Sequence, residues 1–317
     1  MSGQRLGSNA IIGDFYLRLE QALATSWAPA VAMAVNSDQE SEEYAWLGMA
    51  PKMREWVGGR QAKGLRDNGI TIRNKTFEST LDIPTDWIRR DKTGQILVRV
   101  NDLADRVAAH PMSLLSTLMI NGEATTCYDG EYFFDTDHAE GDSGSQSNDI
   151  TVDISAVPVS NHGSTTAPSV GEMAAAIQSG IQQILGFKDD TGEPMNELAR
   201  EFLIMVPSTM LNVALAATSS AFIDSGDTNS LAAQQFFRTR VIPNVRLNSS
   251  WTDRFAIFRT DGSAKPFIHQ VEQNVMMDVI GEGSEHAFKH NAYQYGVKTI
   301  ENVGYGFWQM ATLVTLI

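Results

Sequence analysis

Hydrophobic residues recur at helical spacing in the first half of the chain. Apolar side chains from 15 to 23 predict a short helix, and a longer i, i+3, i+4, i+7 pattern covers 97–108. This pattern stops at His110-Pro111, because the residue before proline avoids helical dihedrals and proline suits the first turn of a new helix. A further helix is therefore expected up to Asn121-Gly122, where the glycine ends it.

The second half contains a stronger helix start. Ser169 and Glu172 have the spacing of a capping box, and apolar residues follow at helical intervals up to Leu185. The continuous apolar run 202–206 predicts a buried strand ended by a proline. Ser208, which comes next, is expected to cap a further helix.

Strand patterns, with a period of two, occur in several places. Between 70 and 84 the apolar face switches near Asn74-Lys75, which predicts a bulge or a tight bend. The other predicted strands are 128–134, 255–259, 267–273 and much of 292–317, with a turn at Asp261-Gly262 between the middle two. Helices and strands in this irregular order favour an α+β fold over a doubly wound sheet.

Composition limits the class of protein. At 317 residues and 43% hydrophobic content, the chain can bury a substantial core, and its length predicts about two domains. The first thirty residues lack a basic-then-apolar signal pattern, and no run of about 18 apolar residues appears, so we expect neither secretion nor membrane insertion. A single cysteine, Cys127, excludes an intramolecular disulfide and a metal site built from several thiolates.

Charge is distributed unevenly along this acidic chain. The formal net charge is −14, yet residues 51–75 carry seven basic side chains against two acidic ones. A glycine-punctuated basic segment has little to fold around by itself, and a two-stranded ribbon is marginally stable in water, so we expect it to lie on another copy of the chain. The acidic run 37–43 is either a solvated loop, the commoner case, or the surface on which a neighbouring basic segment docks.

Three short motifs suggest chemistry, and each has a simpler interpretation. Asp135, Asp137 and His138 could ligate a divalent metal, but no remote ligands of matching type accompany them, and a turn stabilised by aspartate is favoured. Gly141-Asp142-Ser143-Gly144 matches the nucleophile segment of trypsin-like proteases without the surrounding β-barrel pattern. Gly281-Glu282-Gly283 lacks the strand and third glycine of a dinucleotide loop. We therefore predict no catalytic, cofactor-binding or metal-binding residue.

Several local motifs, together with the order of predicted elements, resemble one protein family. The motifs are Phe77-Glu78-Ser79-Thr80, Ile83-Pro84, Asp91-Lys92-Thr93-Gly94-Gln95, His110-Pro111, Tyr128-Asp129-Gly130-Glu131-Tyr132-Phe133-Phe134-Asp135-Thr136-Asp137-His138 and Ala292-Tyr293-Gln294-Tyr295-Gly296-Val297. The chain resembles the Mu-like phage major head subunits, which are capsid proteins with the Hong Kong 97-like fold. The likeness spans nearly the whole chain, although only the segment ending at His138 is specific by itself.

The resemblance implies a division of the chain into four parts. Residues 1–43 would form an N-terminal arm and residues 44–94 an extended β-hairpin loop. Residues 95–160 together with 273–317 would form a peripheral domain with a spine helix. Residues 161–272 would form an axial domain.

The resemblance also implies a structural protein rather than an enzyme. Members of the family assemble as hexamers and pentamers into an icosahedral head that encloses double-stranded DNA, with a separate scaffold, a maturation protease and a portal protein as partners. The chain is then expected in the virion after assembly in the host cytoplasm, without a cofactor and without sequence-specific DNA binding. Its acidic balance disfavours tight binding to phosphate.

Two alternatives to a phage head stay open. One is the shell of a bacterial nanocompartment with the same fold, which encloses enzymes in place of DNA. The other is a soluble hydrolase that uses Asp135, Asp137 and His138, or Ser143. Closed shells under the electron microscope would argue against the hydrolase.

Contacts between subunits are expected at the basic segment, at the aromatic residues beside it and at the acidic run. The predicted contact residues are Trp46, Arg54, Trp56, Arg60, Lys63, Arg66, Arg73, Lys75 and Phe77, with Asp38, Glu40, Glu42 and Glu43 on the acidic side. Exposed ion pairs are worth about 0 to 1 kcal/mol each. Charges would therefore set the register between subunits, while apolar contacts supply most of the affinity.

Overall fold

The computed structural model describes residues 7–44, 69–90, 94–223 and 226–317. Its helices are α1 (Ser8–Leu23), α2 (Ala28–Val31), α3 (Thr85–Arg90), α4 (Gln95–Ala108), α5 (His110–Ile120), α6 (Val170–Gly186), α7 (Leu211–Ser219), α8 (Ser230–Ala233) and α9 (Glu285–His290). Its strands are β1 (Ala32–Asn36), β2 (Ser41–Tyr44), β3 (Ile70–Arg73), β4 (Lys75–Pro84), β5 (His138–Ala139), β6 (Ser145–Gln146), β7 (Asp149–Val152), β8 (Glu201–Val206), β9 (Phe222–Ile223), β10 (Asp227–Thr228), β11 (Arg238–Pro243), β12 (Arg254–Arg259), β13 (Phe267–Ile280), β14 (Ala292–Tyr305) and β15 (Ala311–Leu316).

Helices and strands are interleaved irregularly, which confirms the α+β prediction. Across these ranges, no helix combines the length and the apolar character needed to span a lipid bilayer.

Sheet I has the strand order β1-β13-β14-β4 and is built around two long antiparallel strands, β13 and β14. β4 pairs with β14 over its whole length, from Pro84 opposite Ala292 to Lys75 opposite Glu301. β1 joins the other edge in parallel to β13. Backbone hydrogen bonds therefore fix the whole of β4 to the body of the subunit.

Helices α1 and α4 form a second apolar core with sheet I. Its buried members include Ile11, Phe15, Leu19, Val100, Leu103, Tyr295 and Val297. The helical members recur every three or four residues and so share one face of each helix. The helices predicted around 15–23 and 97–108 are confirmed, as is the break before α5, which begins at His110 with proline in its first turn.

Sheet II has the strand order β11-β8-β12-β15-β7 and packs against α6 and α7 in the larger apolar core. α6 begins with the predicted capping box, in which the Glu172 carboxylate accepts a hydrogen bond from the Ser169 backbone N–H at 2.7 Å. Gly180 lets this helix lie close to the sheet. A Cβ at that position would be 2.6 Å from the Ile257 side chain and 2.9 Å from that of Val314.

The strands on either side of Asp261-Gly262 are confirmed but belong to different sheets. β12 pairs with β8 and β15 in sheet II, whereas β13 pairs with β1 and β14 in sheet I. The connection covers 260–266, which is longer than a tight hairpin loop and does not fix a register between its flanking strands. The turn therefore links the two sheets and closes no hairpin.

The strand predicted at 128–134 is wrong. The structure has turns and an isolated bridge there. Phe133 and Phe134 are both buried, so their side chains do not alternate between two faces as strand geometry requires. The carboxylates of Asp129 and Asp135 accept backbone N–H groups of this stretch, which stabilises turns in place of a ladder.

The helix after Ser208 forms, but Ser208 does not cap it. A 3₁₀ turn covers Ser208–Met210, and α7 starts at Leu211 without a side-chain cap. The Ser208 hydroxyl instead accepts a hydrogen bond from the Asn248 side-chain amide at 2.7 Å. A competing partner from a distant loop has therefore replaced the local cap.

The two sheets do not separate at the boundary predicted between residues 272 and 273. β13 crosses this position without a break, and β15 belongs to sheet II while β14 belongs to sheet I. Segment 273–317 thus contributes to both sheets. The division into peripheral and axial domains remains a prediction.

Candidate functional site

The basic segment is attached to the body through a short ladder of β2 and β3. The two strands are antiparallel, with Tyr44 opposite Ile70 and Ser41 opposite Arg73. Tyr44 and Ile70, which flank the stretch between the two strands, therefore lie side by side on the subunit. We call β2, β3, residues 37–40 and Asn74 the ribbon root.

A buried polar network holds the ribbon root on β13. The Tyr44 hydroxyl donates to Gln270 Oε1 at 2.7 Å, and Gln270 Nε2 donates to Asn74 Oδ1 at 2.7 Å. Asn74 Nδ2 then donates to the Gln39 carbonyl at 2.7 Å and to Ser37 Oγ at 3.1 Å. Asn74 is the residue between β3 and β4, so the bend predicted there is confirmed. Such a satisfied buried network specifies one direction for the strands that it joins.

The root also lies flat on sheet I because of one glycine. A Cβ on Gly304 of β14 would be 2.3 Å from the Ile72 Cδ1 atom. Ile72 is 3% exposed, so β3 packs its apolar side chain directly onto the sheet. A larger residue at 304 would push the root away.

Charges at the root are partly paired within the chain. Arg73 forms an ion pair with Glu40, and the Ser37 hydroxyl donates to Glu42 at 2.8 Å. Asp38 and Glu43 are exposed. The sequence left two interpretations of the acidic run, a solvated loop or a surface on which a neighbour's basic segment docks. The structure shows that Glu40 already forms an ion pair with Arg73 of its own chain.

The remaining predicted contact residues divide into two groups. Lys75 is exposed on β4, and Phe77 is half-buried on the same strand. The others lie outside the described residues: Trp46, Arg54, Trp56, Arg60, Lys63 and Arg66. Their roles stay predictions.

Phe77 lines an apolar groove between β4 and α4. Its ring meets the His110 ring edge-on, with centroids 4.2 Å apart. Leu103 and Val107 of α4 form the facing wall, and the groove has a volume of about 110 Å³. The predicted contact residue Phe77 is thus connected directly to the start of α5.

His110 is itself bound to a buried carboxylate. Its Nδ1 donates to Glu301 Oε1 at 2.7 Å, and His269 Nε2 donates to Glu301 Oε2 at 2.6 Å. Burial by itself would raise the pKa of Glu301, but the hydrogen bonds from the two histidines outweigh it and lower that pKa to about 2. This bridge fastens α5 to β13 and β14 at the point where α4 ends.

Sequence reasoning missed the Glu301 bridge because its members are far apart along the chain. His110 is 191 residues from Glu301, and His269 is 32 residues from it. Sequence reasoning used His110 only as a helix boundary and gave His269 no role. Only the pairing of β13 with β14 and the placement of α5 bring them together.

The motif at 135–138 is split by the fold. His138 is fully buried and lies near Cys127 and Asp129, whereas Asp135 and Asp137 lie near Glu131 on the outer side of the turn. The His138 ring stacks on Trp308, with centroids 4.0 Å apart and planes 7° from parallel. The three residues therefore do not act as one site.

The proposed hydrolase arrangement is not assembled either. The Ser143 hydroxyl donates to the Gly144 carbonyl and accepts from the Glu140 backbone N–H. His138 uses Nδ1 on Asp129 and Nε2 on Asn148. The hydroxyl is thus not placed on an imidazole that could take its proton.

Comparison with known proteins gives a consistent family. A family model described as Mu-like prophage major head subunit gpT matches residues 13–159 and 238–315. The major capsid protein of Escherichia phage Mu is 36% identical over 132 residues, which cover 37% of this chain and 43% of that protein. The aligned parts span less than half the length of the curated relatives that the chain matches.

Solved capsids share the architecture over nearly the whole chain. The procapsid subunit of bacteriophage JBD30 is similar with a TM-score of 0.56 and 25% identity, covering 97% of this chain and 74% of that one. A virus-like particle from Pyrococcus furiosus is similar with a TM-score of 0.51 and 8% identity, covering 95% of this chain and 98% of that one. The second likeness shows a shared fold and nothing further.

Proposed function

The chain belongs to the family of Mu-like prophage major head subunits, and on that basis we propose that it is a major capsid protein of a phage head. We infer that its copies assemble as hexamers and pentamers into an icosahedral shell. The shell encloses double-stranded DNA, so the mature protein resides in the virion. The observation that carries this proposal is the family match over both 13–159 and 238–315.

The fold supports a shell subunit with a firmly attached ribbon root. Sheet I, α1 and α4 form one packed body, and the ribbon root is fixed to it by the Tyr44, Gln270 and Asn74 network. Strands β2 and β3 of this root flank the basic stretch 45–68 in the sequence. We propose that it lies on the adjacent subunit, where Arg54, Arg60, Lys63 and Arg66 face acidic surface and Trp46 and Trp56 supply apolar contact.

The pairing of Arg73 with Glu40 refines this docking proposal. Exposed pairs contribute about 0 to 1 kcal/mol each, so the intramolecular pair positions the root more than it stabilises it. Asp38 and Glu43 then remain for a neighbour. A stable interface buries roughly 800 Å² per partner, which requires apolar area in addition to these charges.

The implied domain division follows the same proposal. Residues 1–43 act as the arm, 44–94 as the extended loop, and 161–272 as the axial domain. Residues 95–160 and 273–317 form the peripheral domain, with α4 as its spine helix. A scaffold, a maturation protease and a portal protein are the proposed assembly partners.

Packaged DNA is the proposed content of the shell. The net charge of −14 disfavours tight binding of the chain to phosphate, so DNA would be enclosed without sequence-specific contacts.

Electron microscopy of the purified protein tests the proposal. We expect closed shells or capsomers, and a monodisperse monomer at high concentration would contradict it. The double variant Arg60→Glu with Lys63→Glu should abolish shells while the unassembled subunit unfolds at the same temperature. The charge-preserving control Arg60→Lys with Lys63→Arg should assemble normally. Normal assembly of the charge-reversed variant would overturn the docking of the loop but not the capsid role.

The family match favours the phage head over the nanocompartment, whose likeness rests on fold alone. A portal or terminase gene beside this one would agree with the phage head, and a neighbouring cargo enzyme would agree with the compartment. The hydrolase alternative has no support, because Ser143 and His138 bond to different partners.

A further inference from the structure

Three metal-ligating side chains converge beneath the 127–138 turn. Cys127 Sγ lies 2.9 Å from Asp129 Oδ1, and His138 Nδ1 lies 2.7 Å from Asp129 Oδ2. All three ligand atoms lie within 4.8 Å of one another. Cys127 is 6% exposed and His138 is fully buried, so the cluster is shielded from solvent.

The hydrogen bonds of Asn148 determine which nitrogen of His138 carries a proton. Asn148 Nδ2 donates to the carbonyls of Phe133 and Trp308, so its other side-chain atom must be the oxygen. That oxygen accepts from the backbone N–H of Asp135 at 2.9 Å and faces His138 Nε2 at 3.3 Å. Nε2 therefore carries a hydrogen.

With the hydrogen on Nε2, the short contact between His138 Nδ1 and Asp129 has no assigned donor. In a neutral imidazole protonated at Nε2, Nδ1 holds a lone pair, and here that lone pair faces a carboxylate oxygen at 2.7 Å. Two acceptors approach so closely only with a proton or a metal ion between them. A proton could be held by the ring or by the Asp129 carboxyl.

We propose that Cys127, Asp129 and His138 form a binding site for a thiophilic divalent cation of the zinc type. Sulfur, imidazole nitrogen and carboxylate oxygen are the three ligand atoms that zinc accepts in proteins. The hydrogen bond from Nε2 to Asn148 is the outer contact that commonly orients a metal-bound histidine. The site is independent of the proposed shell function.

Charge and geometry both suit such an ion. A dication with one thiolate and one carboxylate is electrically neutral, which burial requires. Binding displaces the proton of the Cys127 thiol and the proton held between His138 and Asp129. It opens the contact between Nδ1 and Oδ2 from 2.7 Å to roughly 3.4 Å.

An ion there would tie the turn to the middle of the subunit. His138 stacks on Trp308 next to β15, and Phe133 stacks on Tyr305 of β14 with ring centroids 4.7 Å apart. The turn therefore touches the connection between sheets I and II. A metal would crosslink its two ends at that place.

Glu131, Asp135 and Asp137 form a second cluster on the outer side of the same turn, and they provide the matched control. They are carboxylates only, which prefer hard cations such as Ca²⁺ to thiophilic ones. Asp137→Asn removes a charge near the site while leaving the three proposed ligands intact.

Cobalt substitution of the full-length protein is the primary test. The protein is treated with a chelator, dialysed and titrated with Co²⁺ and, in parallel, with Zn²⁺. We expect about one equivalent of either metal to bind. Bound cobalt should give a thiolate-to-cobalt charge-transfer band in the near ultraviolet, and bound zinc should protect Cys127 from alkylating reagents. Failure to bind, or bound cobalt without that band, would overturn the proposal and leave a proton between His138 and Asp129 as the explanation of their short contact.

Variants then assign the ligands. Cys127→Ser and His138→Gln should each weaken zinc binding at least about tenfold, as removal of one ligand or its orienting partner commonly does. Asp137→Asn should bind zinc as the natural chain does. Equal binding by Cys127→Ser would contradict the proposal, and loss of binding only in Asp137→Asn would move the metal to the outer cluster. The wild-type cobalt spectrum decides the matter if a variant fails to fold.

Discussion

His110 and Glu301 join the first turn of α5 to the middle of β14 through a 2.7 Å contact between Nδ1 and Oε1. The same carboxylate accepts from His269 of β13, so one buried side chain connects a helix to two strands. Because α5 follows α4 directly, this bridge fixes the end of the proposed spine helix on sheet I. Its energetic role can be measured through pH.

Glu301→Gln should destabilise the unassembled subunit at neutral pH. The pKa of Glu301 is lowered from its ordinary 4.5 to about 2, so its ionised form contributes stability above pH 4.5 that is lost as pH falls towards 2. The shift corresponds to a contribution on the order of 3 kcal/mol.

Urea unfolding at pH 7 and at pH 3 measures this contribution. The free energy of unfolding should differ strongly between the natural chain and the variant at pH 7 and less at pH 3. Glu282→Gln, at an exposed carboxylate, should change neither. An equal loss at both pH values would contradict the charge-based explanation.

Asn74→Ala should loosen the ribbon root. The substitution removes the 2.7 Å acceptor of one N–H of the buried Gln270 amide, while the Ile72 carbonyl still accepts from that amide at 3.2 Å. An unsatisfied buried N–H costs about 1 to 3 kcal/mol. We expect a lower thermal unfolding temperature and a lower yield of shells. Gln39→Ala is the control, since Asn74 bonds to the backbone carbonyl of Gln39 and not to its side chain. If both variants behave alike, the network does not direct the ribbon.

Gly180→Ala should be destabilising although alanine is the better helix former. Its Cβ would lie 2.6 Å from Ile257 and 2.9 Å from Val314, and such overpacking typically costs about 1 to 3 kcal/mol. Gly186→Ala in the same helix has open space around the new methyl group and should be neutral or slightly stabilising. Chemical denaturation of both variants checks the sign. A stabilised Gly180→Ala would mean that α6 can move away from sheet II without loss.

Arg73→Gln separates an internal role from a role between subunits. Arg73 and Glu40 are 75% and 74% exposed, so losing their pair should lower the free energy of unfolding by at most about 1 kcal/mol. If Arg73 also contacts a neighbour, shell assembly should become slower and more sensitive to salt while the subunit remains stable. Light scattering at several salt concentrations measures this. Unchanged assembly at every concentration would restrict Arg73 to its own chain.

Local sequence patterns predicted the features that depend on neighbouring residues. The proline after His110 predicted the boundary of α5, the switch of apolar face predicted the bend at Asn74, and Ser169 with Glu172 predicted the start of α6. Each of these features depends on residues only a few positions apart. Dihedral preferences and side-chain capping are enough to determine such features.

Features that depend on distant pairing could not be predicted in the same way. The strand pattern of 255–259 does not say which strand will lie beside it, so the assignment of β12 and β13 to different sheets was missed. The burial of His138 against Trp308 was missed for the same reason, since the motif looked like a polar turn. The candidate docking loop was chosen by charge alone, and charge specifies a sign of surface but not its position.

The chain crosses from sheet II to sheet I between β12 and β13, and it crosses back between β14 and β15. β14 lies inside sheet I and β15 inside sheet II, and both come after every other described strand. During synthesis, sheet I cannot close until the ribosome has released β14, and sheet II cannot close until it has released β15. Such late, non-local pairing is slow and leaves unpaired strand edges exposed, so newly made subunits should depend on chaperones before they can assemble.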